Sequence, residues 1–281
     1  MRNFTTYKDF NYINSLIFNK LYLIPRDIDA IVAIPRSGTI IANMIAEYLN
    51  KPVIDIYYID RPYDNINFNP TGSKTPKIDF TNLKKILLVD DTIKFGGTIK
   101  NAKSYIKSRF DGDITTLVVF SWPGSENLID ISLQSCEHYV PWNILKVGST
   151  ESCFDMDGVL CEEVPLEFDD DGYKYAEFIS NSRPLFVPQN PIAFIVTSRL
   201  EKYRNITERW LKNHNIKYGS LIMLNLPNSK EKSKIDSAKF KADTYRKTNC
   251  TLFVESSERQ AKEIKRVTGK SVFCTSTYEL F

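Results

Sequence analysis

The stretch KILLVDDTIKFGGT, residues 85–98, constrains the fold more than any other part of the chain. An apolar run of strand length ends in two adjacent carboxylates, Asp90 and Asp91. It turns through Gly96 and Gly97 and enters helical spacing at Thr98. A strand that feeds directly into a helix returns to its sheet by a crossover, so this segment predicts a parallel α/β layer rather than a hairpin meander. The same strand-to-helix rhythm surrounds it. Residues 7–21 are spaced as a helix, 30–34 as a buried strand closed by Pro35, 39–49 as a helix, 53–59 as a strand, 98–108 as a helix and 114–120 as a strand. Residues 60–80, rich in Asn, Pro, Gly and Ser, read as a long loop of the kind that serves as a lid.

The pattern breaks at a linker over residues 146–151 and starts again. Residues 152–154, 192–196, 220–224 and 251–254 have strand character, and 203–214, 238–247 and 258–268 have helical spacing. Two tandem parallel-sheet domains follow, residues 1–148 and 149–281, which the length of 281 residues accommodates. In open parallel sheets ligands lie beyond the carboxyl ends of the strands, so the residues at those ends decide the chemistry.

Composition narrows the choice of chemistry. The five cysteines form no CxxC pair, which argues against a disulfide framework or a zinc site and for a reducing, cytoplasmic compartment. With only His138 and His214, mechanisms that need a histidine cluster have few parts. A net charge of +3 gives no reason to expect a nucleic-acid partner. No apolar run reaches the ~20 residues of a transmembrane helix. Peripheral membrane contact and oligomeric state are left open.

In the first domain, Gly96, Gly97 and Thr98 suit an anion: glycines admit backbone N–H groups to a phosphate, and a helix N-terminus favours negative charge. Asp90 and Asp91 suit either ribose hydroxyls or a hydrated Mg²⁺. A second small-residue turn with a cation, Arg36-Ser37-Gly38, follows the strand at 30–34 and suits a diphosphate. The combination resembles the type I phosphoribosyltransferase family. The resemblance covers roughly residues 1–148 and implies a site for phosphoribosyl pyrophosphate (PRPP). In that site Asp90 and Asp91 bind the ribose, Lys94, Phe95, Gly96, Gly97 and Thr98 hold the 5-phosphate, and Arg36, Ser37 and Gly38 hold the pyrophosphate. It also sets the loop at 60–80, with Arg61, Tyr63, Lys74 and Lys77, where the family has its catalytic lid. Members that use nucleobases often have an acid at the position of Lys94 and a small hydroxyl residue at that of Phe95. The cation and aromatic found here imply PRPP binding without implying a nucleobase acceptor.

In the second domain the strand at 152–154 leads into Asp155-Met156-Asp157-Gly158. Two carboxylates two residues apart can divide attack on phosphorus from proton transfer. The calcium-loop alternative lacks the remaining ligand spacing. The segment resembles the first motif of the haloacid dehalogenase (HAD) phosphatase superfamily, with a Rossmann-like sheet and a small cap. Thr197 falls at the second motif and Glu255 at the fourth. For the third-motif lysine Lys241 fits best, with Lys234 and Lys239 as rivals. The resemblance implies that Asp155 is the nucleophile and Asp157 the acid and base. Thr197 and Lys241 would then serve the phosphoryl group, and Mg²⁺ would sit among Asp155, Asp157 and Glu255. Residues 161–191 leave room only for a small cap, and Asp169-Asp170-Asp171 within it reads as a solvated loop.

The two resemblances together imply transfer of 5-phosphoribosyl from PRPP, followed by removal of its 5-phosphate. Loss of the base-contacting acid and the open cap favour a glycan hydroxyl as acceptor over another small acceptor. Two alternatives stand beside this reading: a nucleobase phosphoribosyltransferase with a nucleotidase, and a PRPP-sensing domain that regulates the phosphatase.

Overall fold

The structure is a computed structural model and describes residues 6–59, 83–145 and 149–281. The expected lid residues Arg61, Tyr63, Lys74 and Lys77 lie outside the described residues. The chain packs into two compact units, Phe10–His138 and Met1–Asp9 with Tyr139–Phe281. Packing thus divides the chain upstream of the change in sequence pattern at residue 148. The first residues described belong with the second unit: the Lys8 N–H donates to Tyr139 O at 2.7 Å, and the Tyr7 ring meets Phe273 edge-on.

The first unit is a five-stranded parallel sheet built from β1 (Ala30–Ala33), β2 (Val53–Asp55), β3 (Lys85–Ile93), β4 (Asp113–Ser121) and β5 (Ile131–Ser135), in the order β2-β1-β3-β4-β5. Helices α1 (Phe10–Asn19), α2 (Ser37–Leu49) and α3 (Gly97–Lys107) flank it. Every residue of β1 is buried, as a central strand covered on both faces requires. Ile86, Leu88, Val32 and Val118 share one core with Ile99, Ala102 and Ile106 of α3. The alternate residues of β1 and β3 face the other way, and α2 packs on both strands through a face that buries Ile41, Ala42 and Ile45. Strand β3 runs four residues past its apolar core. Its ladder to β4 continues through Asp90↔Val118, Thr92↔Phe120 and Ile93↔Ser121. The acidic pair, sixth and seventh of the nine residues, therefore lies within the strand rather than in a turn after it.

The second sheet has six strands: β6 (Ser152–Phe154), β7 (Ile192–Leu200), β8 (Tyr218–Leu224), β9 (Leu252–Glu255), β10 (Ser271–Cys274) and β11 (Glu279–Leu280). Their order is β11-β10-β9-β6-β7-β8, and all pairs are parallel except β10 with β11. The helices are α4 (Tyr173–Asn181), α5 (Arg204–Asn213), α6 (Ser229–Lys232), α7 (Ser237–Lys247) and α8 (Glu258–Thr268). Alternation along the central strands divides the core. Phe154, Leu252 and Val254 pack with Trp210 and Leu211 of α5, whereas Cys153 and Phe253 pack with Ala242 and Tyr245 of α7 and with Ala261 and Ile264 of α8.

In the acidic run Asp169 and Asp170 are exposed, as expected of a solvated loop, whereas Asp171 is largely enclosed by its partners. Asp170 Oδ1 accepts the N–H groups of Gly172 and Tyr175 at 2.9 and 3.0 Å and so caps the start of α4. Asp171 meets Lys202 Nζ at 2.9 Å, the Tyr203 hydroxyl at 3.1 Å and the Ser229 N–H at 2.8 Å, tying this segment to the turn after β7 and to α6.

Both sheets reverse their strand order once near the centre, between β1 and β3 in the first and between β6 and β9 in the second. A reversal opens a crevice at the carboxyl ends of the two strands, where α/β folds bind ligands. The strands beside the first crevice end near Arg36 and Asp90, and those beside the second near Asp155 and Glu255.

Candidate active sites

At the first crevice the turn Arg36-Ser37-Gly38 opens α2 directly against the end of β3. A methyl group on Gly38 would lie 2.7 Å from Val89 O and 3.2 Å from Asp90 Oδ1. Only a residue without a side chain lets the two segments meet there. Asp90 is buried, and its Oδ1 accepts the Asp91 N–H at 2.8 Å. Burial, and next the neighbouring Asp91 carboxylate, push the Asp90 carboxyl up to about 8. Arg36 is exposed at its turn.

Beyond β3, Gly96 caps α3 with φ of 75°, Gly97 faces open space, and Thr98 is exposed in the first helical turn. The first N–H groups of that turn lack intrahelical partners, the arrangement in which a helix N-terminus can take an anion. Lys94 Nζ stands 3.7 Å over the Trp122 ring, and Phe95 is 86% exposed. One contact escaped sequence reading: buried His138 places Nε2 2.8 Å from Thr92 Oγ1, while its Nδ1 donates to the Cys136 carbonyl at 3.0 Å. The ring stacks on Phe120 at 4.5 Å and so braces the strand that carries the acidic pair.

At the second crevice Lys241, on α7, reaches between the two strand ends. Its Nζ donates to Asp155 Oδ2 at 2.6 Å and to Glu255 Oε2 at 2.7 Å, with all three side chains buried. Of the rival lysines, Lys234 pairs with Glu231 on the surface and Lys239 is exposed. Burial pushes the Asp155 carboxyl up to about 7, with Glu255 and Asp157 adding to the rise and the Lys241 ammonium pulling against it. Burial disfavours the charged form of Lys241, but the two carboxylates outweigh it and raise its pKa. Thr197 is buried, and its Oγ1 accepts the Arg199 N–H at 3.2 Å, which leaves the hydroxyl proton to donate.

Asp157 does not join the other two acids. Its carboxylate faces Arg199, whose Nη2 lies 2.6 Å from Oδ1 and whose Nε lies 3.2 and 3.1 Å from the two oxygens. Burial pushes the Asp157 carboxyl upward, but the guanidinium prevails and holds it below the ordinary carboxylate range. Among the described residues no three His, Cys, Asp or Glu side chains converge on one point. The expected trio is therefore not assembled through three carboxylates. Asp155 and Glu255 already converge on one cation, the Lys241 ammonium. These hard oxygen donors suit Mg²⁺.

Gly158 has φ of 73°, and a methyl group there would strike Ser256 Oγ and lie 2.6 Å from Glu163 Oε2. Arg199 and Glu163 are thus site residues that sequence reasoning did not select. Arg199 comes from β7, 42 positions from Asp157, beyond the reach of local spacing, whereas Glu163 lies in the segment that follows Gly158.

Fold and crevice together define an α/β protein whose first sheet carries a glycine turn and an acidic pair at its strand ends. A model of the phosphoribosyl transferase domain matches residues 6–150, just over half of the chain, and the chain belongs to that family. It is 28% identical over 96 residues to the transcriptional regulator GfcR of Methanocaldococcus jannaschii, a match covering 34% of this chain and 45% of that protein. The chain thus spans under half the length of this curated relative. Among solved structures it is similar to the purine phosphoribosyltransferase of Pyrococcus horikoshii, with a TM-score of 0.34, 20% identity, 49% of this chain and 93% of that one. It is also similar to the orotate phosphoribosyltransferase of Aeropyrum pernix, with a TM-score of 0.31, 19% identity, 48% of this chain and 73% of that one. At these scores the likeness bears on neither substrate nor mechanism. Among the described residues no helix is long and apolar enough to cross a membrane.

Proposed function

We propose that the chain transfers 5-phosphoribosyl from PRPP to an acceptor hydroxyl, a glycan in our reading, and then removes the 5-phosphate through an aspartyl-phosphate on Asp155. The functional domains are residues 1–148 and 149–281. The observation that carries the proposal is Lys241 bridging Asp155 and Glu255 at the crevice of a second sheet, on the same chain as a phosphoribosyl transferase domain.

In the first reaction the acceptor oxygen bonds to ribose C1 as the bond to pyrophosphate breaks. Arg36, Ser37 and Gly38 take the pyrophosphate, and Lys94 to Thr98 take the 5-phosphate. Asp90 and Asp91 hold the ribose and stabilise positive charge on the ring. In the second reaction an Asp155 oxygen bonds to phosphorus and the ester bond breaks. Asp157 is the acid and base of this reading: its carboxyl, held ionised by Arg199, must take up a proton before it can give one to the leaving oxygen, and it then accepts one from the attacking water. Thr197 donates to the phosphoryl oxygens and Lys241 balances their charge. Mg²⁺, drawing on Asp90 and Asp91 at one site and on Asp155, Glu255 and the Asp157 main chain at the other, would neutralise phosphate charge.

A second reading has the first domain sense PRPP and regulate the phosphatase. The match to a transcriptional regulator favours it, as do Lys94 and Phe95 where nucleobase-using members carry other residues. Pyrophosphate release separates the two. Incubated with PRPP, Mg²⁺ and a pool of glycan and nucleobase acceptors, the transferase reading expects stoichiometric pyrophosphate. Saturable PRPP binding without any release would establish the sensor instead.

A further inference from the structure

Tyr175, on the cap helix α4, carries a hydroxyl that the fold does not use. The residue is 5% exposed and packs with Ile179 of its own helix, with Leu200 and Leu224 at the ends of β7 and β8, and with Tyr203. Its hydroxyl makes no hydrogen bond among the described residues, and the oxygen is not sealed from solvent as the unpaired Ser198 Oγ is. Two other buried tyrosines of this unit are satisfied: Tyr203 donates to Asp171 at 3.1 Å and Tyr245 to the Ser271 carbonyl at 3.0 Å. An unpaired polar group at such depth costs stability. A phenylalanine would fill the same space without that cost, so packing does not account for the hydroxyl.

The surroundings fix the side chain in advance. Asp170 Oδ1 accepts the Tyr175 N–H at 3.0 Å, and the ring lies 4.8 Å from that of Tyr203, itself anchored on Asp171. A group held in place before its ligand arrives loses little freedom on binding. Leu200, against which the ring packs, directly follows Arg199 in β7. Burial, and next the Asp157 carboxylate, raise the pKa of the hydroxyl, while the Arg199 guanidinium pulls against them. The hydroxyl thus stands within the field of both charged groups and stays protonated. In the phosphatase reading Asp155, Thr197 and Lys241 serve the phosphoryl group and Asp157 serves the leaving oxygen. A hydroxyl brought by the cap to the Asp157 side therefore faces the leaving group. A phenol both donates and accepts, which matches the hydroxyls of a sugar.

We infer that Tyr175 is a specificity residue of the second site, whose hydroxyl bonds a hydroxyl of the sugar that leaves the phosphate ester. The inference rests on the phosphatase reading of that site. No proton is transferred to or from Tyr175. Its hydroxyl discriminates a phosphorylated sugar from an ester that has no hydroxyl to offer.

The test compares kcat/KM for methyl riboside 5-phosphate and for phenyl phosphate, using the full chain with Mg²⁺ as Tyr175→Phe and as the unmodified protein. The expected loss in Tyr175→Phe is about 10-fold on the riboside, the scale of one neutral hydrogen bond, and less than about 2-fold on phenyl phosphate. The Tm of Tyr175→Phe should match or exceed that of the unmodified protein, since the hydroxyl has no partner in the fold to lose. On the unmodified protein, either the 2-deoxy or the 3-deoxy riboside 5-phosphate should show a similar loss, and in Tyr175→Phe that discrimination should vanish. Equal losses on both esters, an unchanged rate on the riboside, or deoxy discrimination that survives in Tyr175→Phe would each overturn the inference. If the unmodified protein hydrolyses neither ester and Asp155 takes up no phosphate, the phosphatase reading falls and this inference with it.

Discussion

Lys241 Nζ lies 2.6 Å from Asp155 Oδ2, a buried ion pair that also takes in Glu255 and joins α7 to the ends of β6 and β9. Removing one partner of a buried pair leaves uncompensated charge, so Lys241→Met should destabilise the chain by about 3–5 kcal/mol. Urea denaturation measures this. Adding Asp155→Asn to Lys241→Met should recover part of the loss, because one of the two stranded carboxylates becomes neutral. A double variant weaker than the single one would contradict the pairing.

Gly38→Ala should damage the first site selectively. The new methyl would press on Val89 O and Asp90 and force α2 away from the end of β3. Overpacking of this kind costs about 1–3 kcal/mol. Calorimetric titration with PRPP should show binding lost or weakened by more than 10-fold, roughly the 1.4 kcal/mol that a tenfold change represents. Unchanged PRPP affinity would show that the turn is not part of the site.

Asp90 makes the first unit's stability fall with rising pH. Its carboxyl sits near 3.8 when unfolded and about 8 when folded, so the folded state binds its proton more tightly. The stability this provides is fully present below the unfolded value and is lost as pH rises through about 8. Asp90→Asn, which keeps the neutral shape, should flatten that slope. Urea midpoints measured across this pH range for both proteins check it, and identical slopes would refute the assignment.

Gly158→Ala should be among the most harmful single-methyl changes in the second unit. Its φ of 73° strains any side chain, and the methyl would displace Ser256 and Glu163. A Tm well below that of the unmodified protein, with phosphatase turnover lost, is expected. A small Tm change would mean that the Asp157–Gly158 turn is differently shaped.

The buried strands were the legible part of the fold. Residues 30–34 and 86–89 are continuous apolar runs, and each forms a central strand because both faces are covered. Strand β5 escaped because Ile131–Ser135 is an edge strand with a mostly polar, partly exposed pattern, and β10 because four residues carry no period to read. The strand ends bearing Asp90, Asp155 and Glu255 were legible because each acid follows an apolar run. The Arg199–Asp157 pair was not. It spans 42 positions, and nothing near Asp157 in sequence signals a cation from another strand. Asp171 misled for the same reason: one acid of an exposed acidic triplet reads as solvent-facing until its partners, Lys202, Tyr203 and Ser229, are brought in by the fold.

The central claim is that two reactions run in sequence on one chain. Its most direct test is the mass of the product formed from PRPP and glycan acceptors by the unmodified protein and by Asp155→Asn. The account expects a ribosylated glycan from the unmodified protein and its 5-phosphorylated form, accumulating, from the variant. The same product from both proteins, or nucleotides alone, would contradict it.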